Sequence, residues 1–268
     1  MTESNRIHGE EKEDLAEGTL ISHLIELRQR LFRAILAIVL IFVVLLPFQQ
    51  QIFDFVANPL VAALPEGSLP ISTGPIAPFM VPLKTTLFVA LFAAMPVVLY
   101  QVWRFVAPGL YRQEKRFAMP LVFTSIVLFY VGVAFAYFVV FDLVFSFVIA
   151  QTPDNVQVAT DIGEYLSFVL RMFLAFGLAF EVPIATFMLV WSRLVSLRAL
   201  GKARPYVFLG AFVVGMFLTP PDAISQTLLA VPIYILYESG LILARILLRD
   251  RLAEGSSGVD SDADNSSS

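Results

Sequence analysis

The stretch FAMPLVFTSIVLFYVGVAFAYFVVFDLVFSFVIA, Phe117–Ala150, contains a single charged residue, Asp142. As a helix rising about 1.5 Å per residue it would measure about 51 Å, well over the ~30 Å hydrocarbon layer of a bilayer. Such a run has no polar face to offer water, so it belongs in lipid, where its excess length must tilt or protrude. Its apolar residues follow one another without alternating with polar ones, which excludes the strands of a transmembrane β-barrel.

Working outward, the pattern recurs. Upstream, Leu31 to Phe48 is apolar apart from Arg33. It is preceded by Thr19 to Arg33, where Leu20, Leu24, Leu27 and Leu31 share one helical face, as expected of a helix on the membrane surface leading into the bilayer. This first run lies too deep in the chain, with no small-residue cleavage site after it, to be a removed leader. Residues 49–83 hold Gln49, Gln50, Gln51, Asp54, Glu66 and six prolines, and predict an extramembranous loop with room for short helices. A second span runs over Leu83–Val106, interrupted by Pro96, and a fourth over Tyr165–Trp191. Two shorter runs, Tyr206–Leu218 and Ile224–Leu243, are joined by a tight hairpin at Thr219–Ala223. The expectation is an all-α polytopic membrane protein with six transmembrane helices, the last two short enough to thin the membrane around them.

Composition agrees: 58% of residues are hydrophobic, 15% are charged and 25 are Phe, far above the apolar share of an ordinary soluble domain. There is no cysteine, which excludes disulfides, thiolate nucleophiles and cysteine metal sites. Both histidines, His8 and His23, precede the first apolar run, so no histidine serves as base or metal ligand inside the membrane. The net charge of −4 arises largely in the two ends, among Glu10, Glu11, Glu13, Asp14 and Glu17 and again at Asp260, Asp262 and Asp264. Residues 1–18 and 249–268 are therefore expected to be solvated, disordered tails around a membrane domain at 19–248.

Lysine and arginine set the orientation, because basic residues near helix ends stay cytoplasmic. With six spans, Arg28, Arg30, Arg33, Arg112, Lys115, Arg116, Arg193, Arg198, Lys202, Arg204, Arg245, Arg249 and Arg251 fall on one side, and essentially Lys84 alone on the other. Both termini are thus expected in the cytoplasm. Trp103, Trp191 and several tyrosines near predicted helix ends suit the interfacial aromatic belt.

Carboxylates inside spans cost roughly 2.5–3.5 kcal/mol at a helix centre and need a reason. Glu181, mid-span and just before Val182-Pro183, fits two readings: a groove acid beside a proline kink, or a neutral acid that locks two helices together. Arg171 is expected to snorkel outward or to pair with Glu164 or Asp161. Asp142 and Glu238 lie nearer helix ends, with polar tips reaching the interface. Two acids stand among arginines near the membrane surface, Glu26 and Glu114; Glu26 and Arg30, four apart, form a surface ion pair. His23 and Glu26 have metal-like spacing, but no further ligands accompany them.

At HLIELRQRL (His23–Leu31), YQVWRFVAPGLYRQEKR (Tyr100–Arg116), FAYFVVFD (Phe135–Asp142), FEVPIA (Phe180–Ala185) and RPYVFLGAFVVGMFLTPPDAISQTLLAVPIY (Arg204–Tyr234) the chain resembles the TatC family. These are the multispanning receptor subunits of the twin-arginine protein translocase, and the resemblance extends over nearly all of residues 19–245. It implies a non-enzymatic receptor in the cell inner membrane for signal peptides with two adjacent arginines. With single-span TatA- and TatB-type partners, in an oligomeric complex, it would move folded proteins across the membrane at the expense of the proton gradient. By position, Glu26, Phe105 and Glu114 would contact the signal arginines, and Glu181 would lie in a concave groove open to the cytoplasm. Asp222 would sit at the periplasmic tip, and Met216, Thr219 and Gln226 would dock a partner's transmembrane helix. No cofactor, metal or nucleic acid is implied. Gln29 and Gln113 in the basic motifs, and Arg171, depart from the family pattern.

Two other classes compete. A small-solute transporter would also show proline-broken spans and an intramembrane acid, but there is no inverted repeat. A paired-aspartate protease would need two central aspartates, and no two lie centrally in spans.

Overall fold

In hydrocarbon a backbone must satisfy its own polar groups, and an open-ended chain does so only as helix. The computed structural model describes residues 3–63, 71–106, 118–141, 143–144, 161–192, 194–218 and 223–248, and among them no strand is present beyond one isolated bridge, Ile71 to Asp161. Among the described residues eight α-helices follow in chain order: α1 (Glu3–Leu45), α2 (Gln49–Ala63), α3 (Ala77–Val106), α4 (Ala118–Phe135), α5 (Ile162–Ala179), α6 (Val182–Trp191), α7 (Leu197–Leu218) and α8 (Ala223–Leu247). A 3-10 turn at Leu46–Phe48 joins α1 to α2, and a π-turn at Ala136–Val140 extends α4.

Six segments among the described residues are long and apolar enough to span: Leu24–Asn58, Ala77–Phe105, Met119–Val140, Ile162–Trp191, Leu197–Leu218 and Gln226–Leu247. Their number and order match expectation; their edges do not. The first continues past Phe48 because the glutamines and Asp54 are helical in α2, whose Ala57 is buried against Tyr165, Leu166 and Val169 of α5. The last two, at 22 residues each, are shorter than the first, second and fourth and equal to the third. The fifth gains its first two turns from Leu197 to Arg204, where Arg198, Lys202 and Arg204 are helical although not apolar. Its purely apolar part remains Tyr206–Leu218. The expected boundary at residue 18 coincides with no break in α1; glutamate and lysine favour helix whether or not they are buried.

Packing follows from which helices are adjacent. α1 lies along α3, α4 against α5, α6 against α8, and α7 against α8. One cluster joins Met95, Leu99 and Trp103 of α3 to Phe129 of α4 and Ile184 and Met188 of α6. A second joins Met172 and Phe176 of α5 to Ala136, Leu218 and Leu229. At the α4–α5 crossing two glycines face the opposite helix: a Cβ at Gly132 would stand 2.6 Å from the Phe176 carbonyl oxygen, and one at Gly177 2.5 Å from the Phe129 ring. Only the absence of a side chain lets these backbones approach so closely, a device common between membrane helices. Large apolar side chains such as Phe32, Val44, Phe123, Phe138 and Phe217 remain exposed, as lipid contact requires.

Candidate functional site

Pro183 has no amide hydrogen, so the hydrogen-bond ladder of the fourth span cannot pass through it unbroken. The break falls just ahead, where the Glu181 amide donates to the Leu178 carbonyl at 3.1 Å, three residues back, before the regular pattern resumes from Ala185 to the Glu181 carbonyl at 2.9 Å. Glu181 thus occupies the N-cap of α6, yet its side chain makes no capping bond. It turns instead to α4, where the Ser125 hydroxyl donates to one carboxylate oxygen. Ser125 is fully buried and accepts in turn from the Trp103 indole of α3 at 2.8 Å. Three spans meet in this chain of indole, hydroxyl and carboxylate. The second Glu181 oxygen is buried and has no hydrogen-bond partner among the described residues.

Glu181 is also among the residues that line a cavity of about 380 Å³, together with Met95, Leu99, Val102, Leu178, Ala185 and Met188. Glu181 ties α6 to α4 through one oxygen, and its side chain stands in the wall of this recess. Trp103 departs from expectation. It is buried inside the bundle and takes no place in an interfacial belt. Neither Trp103 nor Ser125 was legible as part of a site, because a hydroxyl in an apolar helix normally bonds its own backbone four residues back, as Thr124 does to Pro120 at 2.9 Å.

At one end of the bundle, Arg30 bonds Glu26 through both Nε, at 3.0 Å, and Nη2. Glu26 stands two residues into the first span and Phe105 closes the second. Successive spans run in opposite directions and α1 lies along α3, so these two residues reach the same side of the bundle. Phe105 is half-exposed. Glu114, Thr219, Asp222 and Asp142 lie outside the described residues. Of the remaining docking residues, Met216 is exposed on α7, while Gln226 of α8 donates its amide to the Phe212 carbonyl at 2.7 Å and clamps the last two helices. Glu238 is more than a polar tip. It bonds Arg204 of α7 through two guanidinium nitrogens, at 2.7 and 2.9 Å, and accepts from the Tyr234 hydroxyl at 3.0 Å.

On the opposite side, Asp161, one of the two acids expected to pair with Arg171, is otherwise engaged. Asp161 caps α5, accepting from the Gly163 and Glu164 amides at 2.7 and 3.0 Å and from the backbone and hydroxyl of Thr73. These donors, the Thr73 hydroxyl foremost, hold its carboxyl down at about 2. Arg171 donates to the Ser167 carbonyl at 3.0 Å. Lys84 lies in the second turn of α3, which begins six residues ahead of the expected span edge at Leu83.

Comparison with known proteins bears on these positions together. Residues 22–232 match the family described as Sec-independent protein translocase protein (TatC). The Sec-independent protein translocase protein TatC of Azotobacter chroococcum is 56% identical over 235 residues, covering 87% of this chain and 92% of that protein. Its counterpart in Escherichia coli K12 is 53% identical over 226 residues, covering 84% and 88%. A crystal structure of the twin-arginine translocase receptor TatC superposes with a TM-score of 0.77 at 36% identity, over 84% of this chain and 98% of that one. Sequence and fold agree, and the chain belongs to the TatC family of Sec-independent protein translocase proteins.

Proposed function

We propose that this chain is the twin-arginine signal-peptide receptor of its translocase, reading paired arginines with Glu26, Phe105 and Glu114 on the cytoplasmic face. The observation that carries this reading is the packing of α1 along α3, with Glu26 near the start of one span and Phe105 at the end of the next. Glu114 belongs to the connector between α3 and α4, whose described ends, Val106 and Ala118, are the end of that same span and the start of the third. An acid paired with one arginine is still able to receive another: a carboxylate offers about four acceptor positions, and a guanidinium presents a planar fork that matches it. A lysine of the same charge lacks that fork. Phe105 contributes apolar contact or a π-face to the same cation.

The signal's apolar stretch is assigned to the recess at Glu181. Its volume suits a few side chains and not a whole helix, which is about 10–12 Å across, so the stretch would lie along the groove and insert side chains. Met216, Thr219 and Gln226 are assigned to docking the helix of a TatA- or TatB-type partner, and Asp222 to the periplasmic tip. Both termini are placed in the cytoplasm and the chain in the cell inner membrane, because basic residues cluster at the span ends shared with the termini.

The test is site-specific photo-crosslinking from position 105 or 114 in membranes that also hold the partner subunits. A precursor with paired arginines should be captured, and the paired-lysine version should lose most of that capture. Equal capture of both rejects the arginine-reading role.

A further inference from the structure

Most described lysines and arginines lie on the side of the termini: in residues 3–33, at Arg104, between Arg198 and Arg204, or at Arg245. Lys84 and Arg171 do not. They sit on adjacent spans in the opposite half of the bundle, both exposed, and both converge on one residue of α5. Lys84 Nζ donates to the Ser167 hydroxyl at 2.8 Å, and Arg171 Nε donates to the Ser167 carbonyl at 3.0 Å. The Ser167 hydroxyl is itself fixed, donating to the Gly163 carbonyl at 2.6 Å. Among the described residues neither cation lies within ion-pair distance of a carboxylate; Asp161 is committed to Thr73 and to the helix N-terminus. Each cation places one donor on Ser167, and an ammonium has three donors and a guanidinium five.

Depth decides what such a pair meets. The second span and the fourth are each about 45 Å long, about 15 Å more than the hydrocarbon layer, so roughly 7 Å protrudes at either end. Lys84 lies about 10 Å along α3 and Arg171 about 13 Å along α5, which puts their backbones only a few ångströms inside the hydrocarbon edge. Long basic side chains at that depth extend toward the headgroups. Exposed Met80 and Leu87 on α3 and Leu178 on α5 lie above and below on the same sides of their helices, a surface for acyl chains.

We propose that Lys84 and Arg171, held together by Ser167, bind the phosphate of an anionic phospholipid in the leaflet facing away from the termini. The two terminal guanidinium nitrogens donate to the two non-bridging phosphate oxygens and the ammonium to one of the same pair, while the acyl chains follow the apolar surface between α3 and α5. An anion supplies the partner that no carboxylate among the described residues gives either cation, and two adjacent cations on one seam give that seam its preference for charged over zwitterionic lipid.

The test uses the full-length protein purified in mild detergent, with lipid binding read by native mass spectrometry. Phosphatidylglycerol should bind the wild type more tightly than phosphatidylcholine. Lys84→Gln with Arg171→Gln should bind phosphatidylglycerol on the order of tenfold or more less tightly, with phosphatidylcholine unchanged. The charge-preserving Lys84→Arg should keep the preference, as should Glu164→Gln. A photoactivatable phosphatidylglycerol on the wild type should label residues 80–87 and 164–178. Equal phosphatidylglycerol affinity in wild type and double variant overturns the proposal, as does labelling elsewhere, which decides the matter even where the double variant does not fold. Inorganic phosphate competing as well as the lipid would mark a free-anion site and equally overturn it.

Discussion

Replacing Ser125 with alanine removes one buried oxygen and breaks two hydrogen bonds at once, because that oxygen accepts from Trp103 and donates to Glu181. Nothing among the described residues stands ready to replace it: Ser125 and Trp103 are buried, and the other Glu181 oxygen already lacks a partner among the described residues. In a water-soluble core each stranded polar group would cost about 1–3 kcal/mol. Between membrane helices the unfolded reference also finds partners, and single interhelical hydrogen bonds average nearer 0.6 kcal/mol with a maximum of about 1.7. Two bonds lost from the meeting point of three spans should therefore destabilise the protein by about 1–3 kcal/mol. The assay is reversible denaturation of the purified protein in mixed micelles, in a Trp191→Phe background that leaves Trp103 as the sole tryptophan. Ser125→Ala should shift the unfolding midpoint and alter the native Trp103 emission, because its indole loses its acceptor. A double-mutant cycle with Glu181→Gln should show coupling, since both residues share one bond. A midpoint within about 0.3 kcal/mol of the parent, with unchanged emission, would refute the three-helix network.

Gly132→Ala should lower thermal stability in detergent by about 1–3 kcal/mol, since its Cβ would collide with the Phe176 carbonyl, a backbone atom unable to rotate away. Gly210→Ala meets nothing within 4 Å and should leave the melting temperature unchanged or raised; equal effects at the two positions would discount the close α4–α5 crossing. The Asp161 clip has a definite pH window. Its carboxyl is held below its ordinary value, so the fold gains from it above about pH 3.8 and loses that gain as pH falls toward about 2. A spin label at Ser72 should become more mobile across that interval and, in Asp161→Asn, should show no such transition. Mobility independent of pH in both proteins would dismiss the clip.

Apolar run length and the spacing of basic residues made the number of spans readable in advance, because lipid demands a helix wherever about twenty apolar residues run together. Span edges were less legible. Gln49 to Asp54 read as loop, but their polar side chains do not prevent α2 from burying Ala57 against α5, and Arg198 to Arg204 read as connector although they open α7. Hydropathy measures which residues prefer lipid and does not register helix that continues beyond it.

An acid within a span is recognised by its cost. Glu181 stood out because a carboxylate in hydrocarbon requires a reason; Glu238 read only as a polar tip, and Glu26 as half of a surface ion pair, until the family resemblance gave it a role. Their partners were invisible in one dimension. Trp103, Ser125 and Glu181 lie 22 and 56 residues apart in the chain and share a hydrogen-bonded site only because α3, α4 and the break before α6 meet there. Lys84 and Arg171 likewise read as a lone lysine on the far side and a charge outside the family pattern; it is the fold that brings both to Ser167. By itself the order of residues determined a six-helix membrane protein and the family it resembles, since solvation is a property of each residue in turn. Which polar groups share a bond was decided by tertiary structure alone, because such bonds reach about 3 Å and depend on how neighbouring helices cross.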